Sequence, residues 1–473
     1  MSARSLVLAL MASAALGGCT LAPRYERPVL PVGQAWPVAA GTAASTVPGA
    51  DLAWREVFQD PRLQSVIALA LEKNRDLRVA VANIAQARAQ YRIQRADLLP
   101  AIDAAAAGTR TRTPGSVSQT GRSDVTDQYG VSAGFSAYEL DLFGRVRSLS
   151  AAALQSYLAT EENRRTVQIS LIAETARAYL TLAADQDLLA ITQETLASRE
   201  AGLDLARKRF EAGATSELDL RQAQTLAEQA RSDAATATAQ VDRDRNALRL
   251  LVGAEVPADL LPQGGLTEVG VLADISPGLP SDVLARRPDV LAAEHTLQAQ
   301  NANIGAARAA FFPRISLTGS AGTISPELGD LFGGGTRTWT FAPQVVLPIF
   351  SGGANIAGLR SAEASRDAAV AQYEKAVQTA FREVADALAT RATIADRVSA
   401  QDRLVEAAAA AQRLTQARYE RGVDSYLSLL DAQRTLYAAR QTQLAAQLDQ
   451  AANRVELYRA LGGGAQNGAR PSD

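Results

Sequence analysis

Very little in this 473-residue chain could do covalent or metal chemistry. It holds one histidine, His295, and one cysteine, Cys19. A single cysteine excludes an internal disulfide. One of each excludes a His/Cys zinc cluster and, because Cys19 falls in a leader-like segment, a Cys–His nucleophile pair. His295 has no second metal-type ligand near it in the pattern and fits a packed or solvated helix position. No nucleophile, metal or phosphate-loop constellation points to an enzyme. Neither sign of charge is in excess: Lys+Arg 48 against Asp+Glu 50 gives net charge -2. Such a balance leaves no basic stripe with which to displace counterions from a nucleic acid. No apolar run reaches the ~20 residues that cross a bilayer as a helix, which excludes a polytopic helical transporter. What is plentiful is alanine, roughly a fifth of the chain, which suits helices that approach closely.

The N-terminus has the form of an export signal: Arg4, an apolar stretch from Leu6 to Leu16, then Gly17-Gly18-Cys19. Small residues before the only cysteine match a bacterial lipobox, with Cys19 as the acylated first residue of the mature chain. An ordinary signal with an incidental cysteine is the other reading. Each buried methylene of an acyl chain adds roughly 0.8 kcal/mol of membrane affinity. Thr20 stands where an aspartate would favour inner-membrane retention, so the outer membrane is expected. Pro23, Pro28, Pro31, Pro37 and Pro48 forbid a helix in the segment that follows, which is expected to be an extended tether.

The rest of the chain is written twice. At an offset of 213, Leu71, Asp76, Ala80, Arg95, Ala96, Pro100 and Ile102 meet Leu284, Asp289, Ala293, Arg308, Ala309, Pro313 and Ile315. At an offset of 209, Arg209-Phe210-Glu211-Ala212-Gly213 meets Arg418-Tyr419-Glu420-Arg421-Gly422, and Ser216, Leu218 and Leu220 meet Ser425, Leu427 and Leu429. A unit of about 210 residues is a two-fold duplication rather than a solenoid repeat. Each unit predicts two helices, a proline stop at Pro100 or Pro313, and two strands of period-2 alternation around a Gly-rich loop. A very long helix follows. From Ser148 to Ala212 only Gly202 interrupts, and from Asn355 to Arg421 only Gly358. Some 65 residues at 1.5 Å each make a helix of roughly 100 Å. Gly213 and Gly422 suit the left-handed C′ position, and Ser216 and Ser425 the N-caps of returning helices, with Asp219 completing a box-like Ser-x-x-Asp. Adjacent apolar pairs such as Leu171-Ile172 and Tyr179-Leu180 predict helices with neighbours on both sides, as in a tube. A solvent-exposed coiled-coil scaffold is the competing pattern. Four strands cannot close a barrel, so two copies (eight strands) or three (twelve) would be needed.

Long stretches then carry a family resemblance. They include Cys19 to Pro31 (CTLAPRYERPVLP), Tyr138 to Arg145 (YELDLFGR), Leu279 to Asp289 (LPSDVLARRPD) and Asn303 to Pro313 (NIGAARAAFFP). Leu347 to Gly353 (LPIFSGG) and Ala417 to Leu436 (ARYERGVDSYLSLLDAQRTL) complete the set. The chain resembles the TolC family of outer-membrane efflux channels, in the lipoprotein branch typified by OprM and NodT-like proteins. The resemblance implies a mainly α fold with a small β part, internally duplicated. It also implies a trimer whose twelve-stranded outer-membrane β-barrel continues as a twelve-helix periplasmic α-barrel. No cofactor is implied beyond the N-acyl and S-diacylglycerol lipid on Cys19. The expected organisation is a signal peptide over 1–18, a lipid-anchored tether over 19–58, and a first repeat over 59–253 with hairpin 100–141 and helical hairpin 148–252. An equatorial linker over 254–278, a second repeat over 279–462 with hairpin 313–350 and helical hairpin 355–462, and a flexible tail over 463–473 complete it.

The function implied is passive export of drugs or other toxic small molecules, delivered by a periplasmic adaptor (a membrane fusion protein) and an inner-membrane pump of the resistance-nodulation-division type. A type I protein-secretion channel of the same fold is the alternative. By resemblance Leu427 and Asp431 lie at the periplasmic constriction, with Asp219 nearby. A spacing of four puts Leu427 and Asp431 on one side of their helix. A ring of leucines would narrow and dewet a pore, and rings of aspartates would favour cations. The plainer readings are helix capping for Asp219 and an ordinary surface acid for Asp431. Ser428 stands where the TolC type has a second acid, which implies a weaker acidic ring. Arg434 is a candidate ion-pair partner for Asp431. Arg209 with Gly213, and Arg418 with Gly422, are matched tips that the family reading assigns to adaptor docking and helix chemistry assigns to C-capping. Trp339 and Phe341 suit an interfacial belt or a lipid-facing strand.

Overall fold

The computed structural model describes residues 20–33, 35–37, 52–118, 121–269, 273, 275 and 284–463. Cys19, the signal segment and residues 464–473 lie outside these, as does part of the expected linker.

The described elements run in the order α1 (Pro61–Lys73), α2 (Arg75–Ala96), β1 (Asp103–Thr113), β2 (Asp124–Leu140), α3 (Arg145–Glu211) and α4 (Glu217–Val252). They continue with α5 (Pro288–Ala309), β3 (Arg314–Ser325), β4 (Arg337–Val346), α6 (Ala354–Glu420) and α7 (Tyr426–Ala460). Local sequence explains the boundaries. Pro61 opens α1, where its missing N–H is no loss, and Asp60 accepts from the Arg62 amide at 2.8 Å. Asn74 caps α2 by accepting from the Leu77 amide at 2.8 Å. The long helices α3 and α6 are each 67 residues, uninterrupted because Gly202 and Gly358 are their only helix-weakening residues. None of the described helices is long and apolar enough to cross a membrane.

The chain folds as two compact units. The first comprises the described residues of 1–29, 83–161 and 292–373. Its centre is one antiparallel sheet of order β1-β2-β3-β4. The pairing register sorts the side chains cleanly. Val125, Tyr129, Val131 and Phe135 share one face with Ile315, Leu317, Trp339, Phe341 and Val345. Thr109, Thr126, Gln128, Ser132, Ser320, Thr338, Thr340 and Gln344 share the other. A bulge between Phe135 and Tyr138 maintains this sorting. The extra residue is taken up at Ala137, whose φ is 54° and whose amide donates to Thr318 Oγ1 at 3.1 Å. Tyr138 and Leu140 therefore stay on the apolar face despite their even numbers.

The start of the expected tether is extended, but it is not a free spacer. Arg27 makes a two-pronged ion pair with Glu294 at 2.8 and 2.7 Å, and Tyr25 donates to the same carboxylate at 3.0 Å. Asn301 Nδ2 and Arg308 Nη1 donate to the carbonyls of Pro23 and Leu21. Burial beside the Glu294 charge pushes the Tyr25 hydroxyl up to about 12. The strap lies so close to α5 that a Cβ at Gly305 would stand 2.7 Å from the Ala22 nitrogen.

The second unit comprises the described residues of 30–82, 162–291 and 374–473. Within it, α4 bonds to α3 (Arg231 to Glu200, 2.8 Å), α7 to α3 (Arg440 to Glu194, 3.0 Å), and α6 to α7 (Arg397 to Asp449, 2.9 Å). The lateral order is thus α4-α3-α7-α6, so α3 and α7 have neighbours on both sides, which is why their apolar residues occupy two faces. The core gathers at the end of this unit remote from the helix turns: Phe58, Leu63, Ile67, Tyr179, Leu180, Leu248 and Tyr458 are all fully buried. Tyr179 satisfies its hydroxyl on the Leu260 carbonyl at 3.0 Å, and Phe58 meets Tyr458 edge-on at 5.5 Å.

Candidate functional site

The two helical turns of the second unit are built alike. After α3, Gly213 has φ 70°; after α6, Gly422 has φ 76°. In each, the two amides at and after the glycine close back on the helix: Gly213 to Phe210 and Ala214 to Arg209, Gly422 to Tyr419 and Val423 to Arg418, at 2.8–2.9 Å. This is the double closure of a Schellman turn, which glycine permits without strain. Ser216 and Ser425 then cap α4 and α7, accepting from the amides of Asp219 and Ser428.

Asp219 is committed to its cap. Its Oδ2 accepts from Thr215 Oγ1 at 2.7 Å, from Ser216 Oγ at 2.8 Å and from the Ser216 amide at 3.3 Å. The Thr215 hydroxyl, with the hydroxyl and amide of Ser216, holds this carboxyl below the usual aspartate value. Leu427 and Asp431 lie on the first turns of α7 and are exposed, Leu427 at 52%. Arg434 Nη1 stands 3.8 Å from Asp431 Oδ1, with both side chains mostly in solvent. Such a pair contributes little on its own.

The tip arginines have different partners. Arg418 grips Asp424 with Nε at 2.7 Å and Nη2 at 3.0 Å, which raises its own proton affinity and lowers that of Asp424. Arg209 instead lies over the ring of Tyr419, 4.9 Å from its centre, and Tyr419 contacts Tyr426 at 5.4 Å. Burial pushes the Tyr426 hydroxyl up to about 12. Sequence reasoning missed this aromatic pair and also missed Arg199, a buried α3 guanidinium that hydrogen-bonds Gln433 of α7. Arg209 and Arg199 carry no local motif for these contacts, since Tyr419 and Gln433 lie over two hundred residues away. The pairing of Arg418 with Asp424, six residues on, was legible and went unused.

His295 Nδ1 is 2.7 Å from Gln155 Oε1. Among the described residues no group of His, Cys, Asp or Glu could hold a metal ion. Trp339 and Phe341 are exposed on the apolar face of the sheet.

The profile of the family described as "Outer membrane efflux protein" matches residues 66–254 and again 279–463. The chain belongs to the outer membrane efflux protein family. The two matches cover the two copies of the internal duplication. The toluene efflux pump outer membrane protein TtgC of Pseudomonas putida is 49% identical over 466 residues, 98% of this chain and 96% of the relative. The outer membrane protein OprJ of Pseudomonas aeruginosa is 47% identical over 466 residues, 98% and 96% of the two chains. The open-state structure of the Neisseria gonorrhoeae MtrE outer membrane channel superimposes with a TM-score of 0.86 at 43% identity, covering 94% of this chain and 98% of that one. As a member of this family the chain is an outer-membrane efflux channel and not an enzyme.

Proposed function

We propose that three copies of the chain close a twelve-stranded barrel in the outer membrane and a twelve-helix tunnel below it. Antibiotics or solvents handed over by a periplasmic adaptor and an inner-membrane resistance-nodulation-division pump leave through this conduit. The carrying observation is a sheet with one apolar and one polar face whose outer strands, β1 and β4, each pair on one side only among the described residues. Unpaired backbone edges have no place in lipid, so the edges must be met by further copies. The apolar face then meets lipid and the polar face lines the passage. The near-full-length likeness to toluene and antibiotic efflux proteins favours small-molecule cargo over secreted protein.

A lipid on Cys19 anchors each copy in this reading. Thr20, the residue that follows Cys19 in sequence, hydrogen-bonds Ser148 at 3.2 Å near the start of α3, the helical end of the sheet. Leu427 and Asp431 form the periplasmic gate with Asp219 beside them, Arg434 tempers the Asp431 charge, and the turns at Arg209–Gly213 and Arg418–Gly422 receive the adaptor.

Single-channel recording of the purified channel in planar bilayers tests the gate. Asp431→Ala should raise conductance or lower cation preference, because a ring of carboxylates near the pore axis is removed. Conductance and selectivity equal to the parent would remove Asp431 from the gate. No conductance from the parent itself would count against the pore.

A further inference from the structure

The apolar face of the sheet stops short of the strand tips. On β2 it runs from Tyr129 through Val131, Ala133 and Phe135 and, across the bulge, to Tyr138 and Leu140. Some 11 rises of about 3.3 Å cover ~36 Å along the strand, and a tilt near 45° turns this into ~25 Å of height. That is the whole apolar band of an outer-membrane barrel. On the same face, toward the tips, the side chains become cationic, past this band on β1 and β2 and in its Val131 row on β4. Across β1 and β2, Arg110 faces Asp127 and Arg112 faces Val125. Arg337 opens β4, two residues before Trp339, and faces Thr323.

One acid answers these three arginines. Arg110 Nε is 3.4 Å from Asp127 Oδ1, and the arginine remains 77% exposed. Arg112 donates to Ser123 Oγ at 3.2 Å, a neutral partner. Among the described residues neither Arg112 nor Arg337 makes an ion pair. Asp124 lies on the opposite, polar face, and Glu327 and Asp330 belong to the β3–β4 loop. The lipid-facing side therefore keeps an excess of two positive charges at the border of the hydrocarbon. Guanidinium groups there need anions, and a planar donor fork suits phosphate better than any neutral headgroup.

We propose that Arg110, Arg112 and Arg337 bind the phosphate groups of lipid A, the phosphorylated glucosamine lipid of the outer leaflet. This rests on the reading of the sheet as the membrane span, with the hairpin tips outward because the opposite strand ends continue into helices. Closing the barrel sets β4 of one protomer against β1 of the next. Arg337 and the Arg110–Arg112 pair then border the same seam, giving one site per seam and three per trimer.

The test uses the full-length channel purified in detergent and titrated with three probes: diphosphoryl lipid A, the same lipid with its phosphates removed, and phosphatidylglycerol. Diphosphoryl lipid A should bind at about three per trimer. Removing the phosphates, or introducing Arg110→Gln, Arg112→Gln and Arg337→Gln together, should weaken binding at least tenfold while single-channel conductance is kept. Equal binding of the dephosphorylated lipid overturns the proposal, as does undiminished binding by the triple variant. Phosphatidylglycerol binding as tightly as lipid A overturns it too, since it would mark an unspecific anionic-lipid surface. The dephosphorylated arm needs no variant, so it decides the matter even if the triple variant does not fold. A parent that never conducts would instead fault the membrane span.

Discussion

Two carboxyl groups face each other where α3 packs on α4, and one must keep a proton for the packing to be comfortable. Asp185 of α3 is pushed up to about 7, first by burial and then by the hydrogen bond and charge of Asp244 on α4. Asp244 Oδ1 accepts from Gln240 at 2.8 Å, while its Oδ2 is buried with no donor among the described residues. The nearby Asp187 is occupied by the Leu266 amide at 2.8 Å. A proton on Asp185 supplies what Asp244 Oδ2 lacks. The folded state therefore holds this proton more tightly than the unfolded chain does, so the contribution is full below about pH 4 and is lost as pH rises through 7. Lifting a carboxyl from its ordinary value to about 7 corresponds to about 4 kcal/mol. Asp185 keeps partial contact with water, which reduces this to about 1–2 kcal/mol. Asp244→Asn retains the shape, keeps an acceptor for Gln240 and gives Asp185 a permanent donor. Its thermal midpoint, followed by circular dichroism at 222 nm at a fixed scan rate, should exceed that of the parent by roughly 2–4 °C at pH 8. The two midpoints should converge at pH 5. A gap of equal size at both pH values would refute the shared proton.

Arg287 is 5% exposed and holds Asp289 with two bonds, Glu383 at 2.8 Å and the Ala460 carbonyl at 2.6 Å. Arg287→Met takes the guanidinium from Asp289 and the Ala460 carbonyl and leaves Glu383 with Arg459 alone, at 3.2 Å; it should cost about 3–5 kcal/mol, read as a large drop in denaturation midpoint. An unchanged midpoint would mean that the network contributes nothing net. Gly305→Ala places a methyl 2.7 Å from both the Ala22 nitrogen and Ser148 Oγ. It should expose the strap to trypsin at Arg24 and Arg27, and cleavage no faster than in the parent would show that the strap is not held as described.

The fold was legible where a signal is local. The 67-residue helices follow from the scarcity of glycine and proline, and the helix turns follow from Gly213, Gly422 and the serines three residues on. The strands follow from alternation. The bulge was not legible, because Ala137 has no composition cue for a positive φ; only the pairing of β2 with β3 reveals why the chain inserts a residue there. The strap was hidden for a similar reason. Its prolines forbid a helix, but its grip comes from Glu294, Asn301 and Arg308, over two hundred and sixty residues away. At the candidate site the same division holds. The Asp219 cap lies within four residues and could be anticipated, whereas Arg209 over Tyr419 and Arg199 with Gln433 are products of helix packing alone.

The duplication also explains why the two halves do not contribute equally to the proposed gate. At the same offset that matches Ser216 with Ser425, Asp219 matches Ser428, and Gln222 matches Asp431. Each returning helix thus carries one aspartate near its start, but at different depths. In the first copy the acid sits three residues after the cap and is used up there by Thr215 and Ser216, which keep it ionised and fixed in place. In the second copy a serine takes the capping place, and the acid moves on to Asp431. Its only ion-pair partner among the described residues is Arg434, at 3.8 Å and in solvent. A carboxylate bound by three local donors cannot answer a neighbouring protomer without breaking its cap. One held by a single weak, screened pair can. Divergence after duplication has in this way assigned capping to one copy and left the other with the acid free to face a pore, which is why the gate prediction rests on Asp431 and not on Asp219.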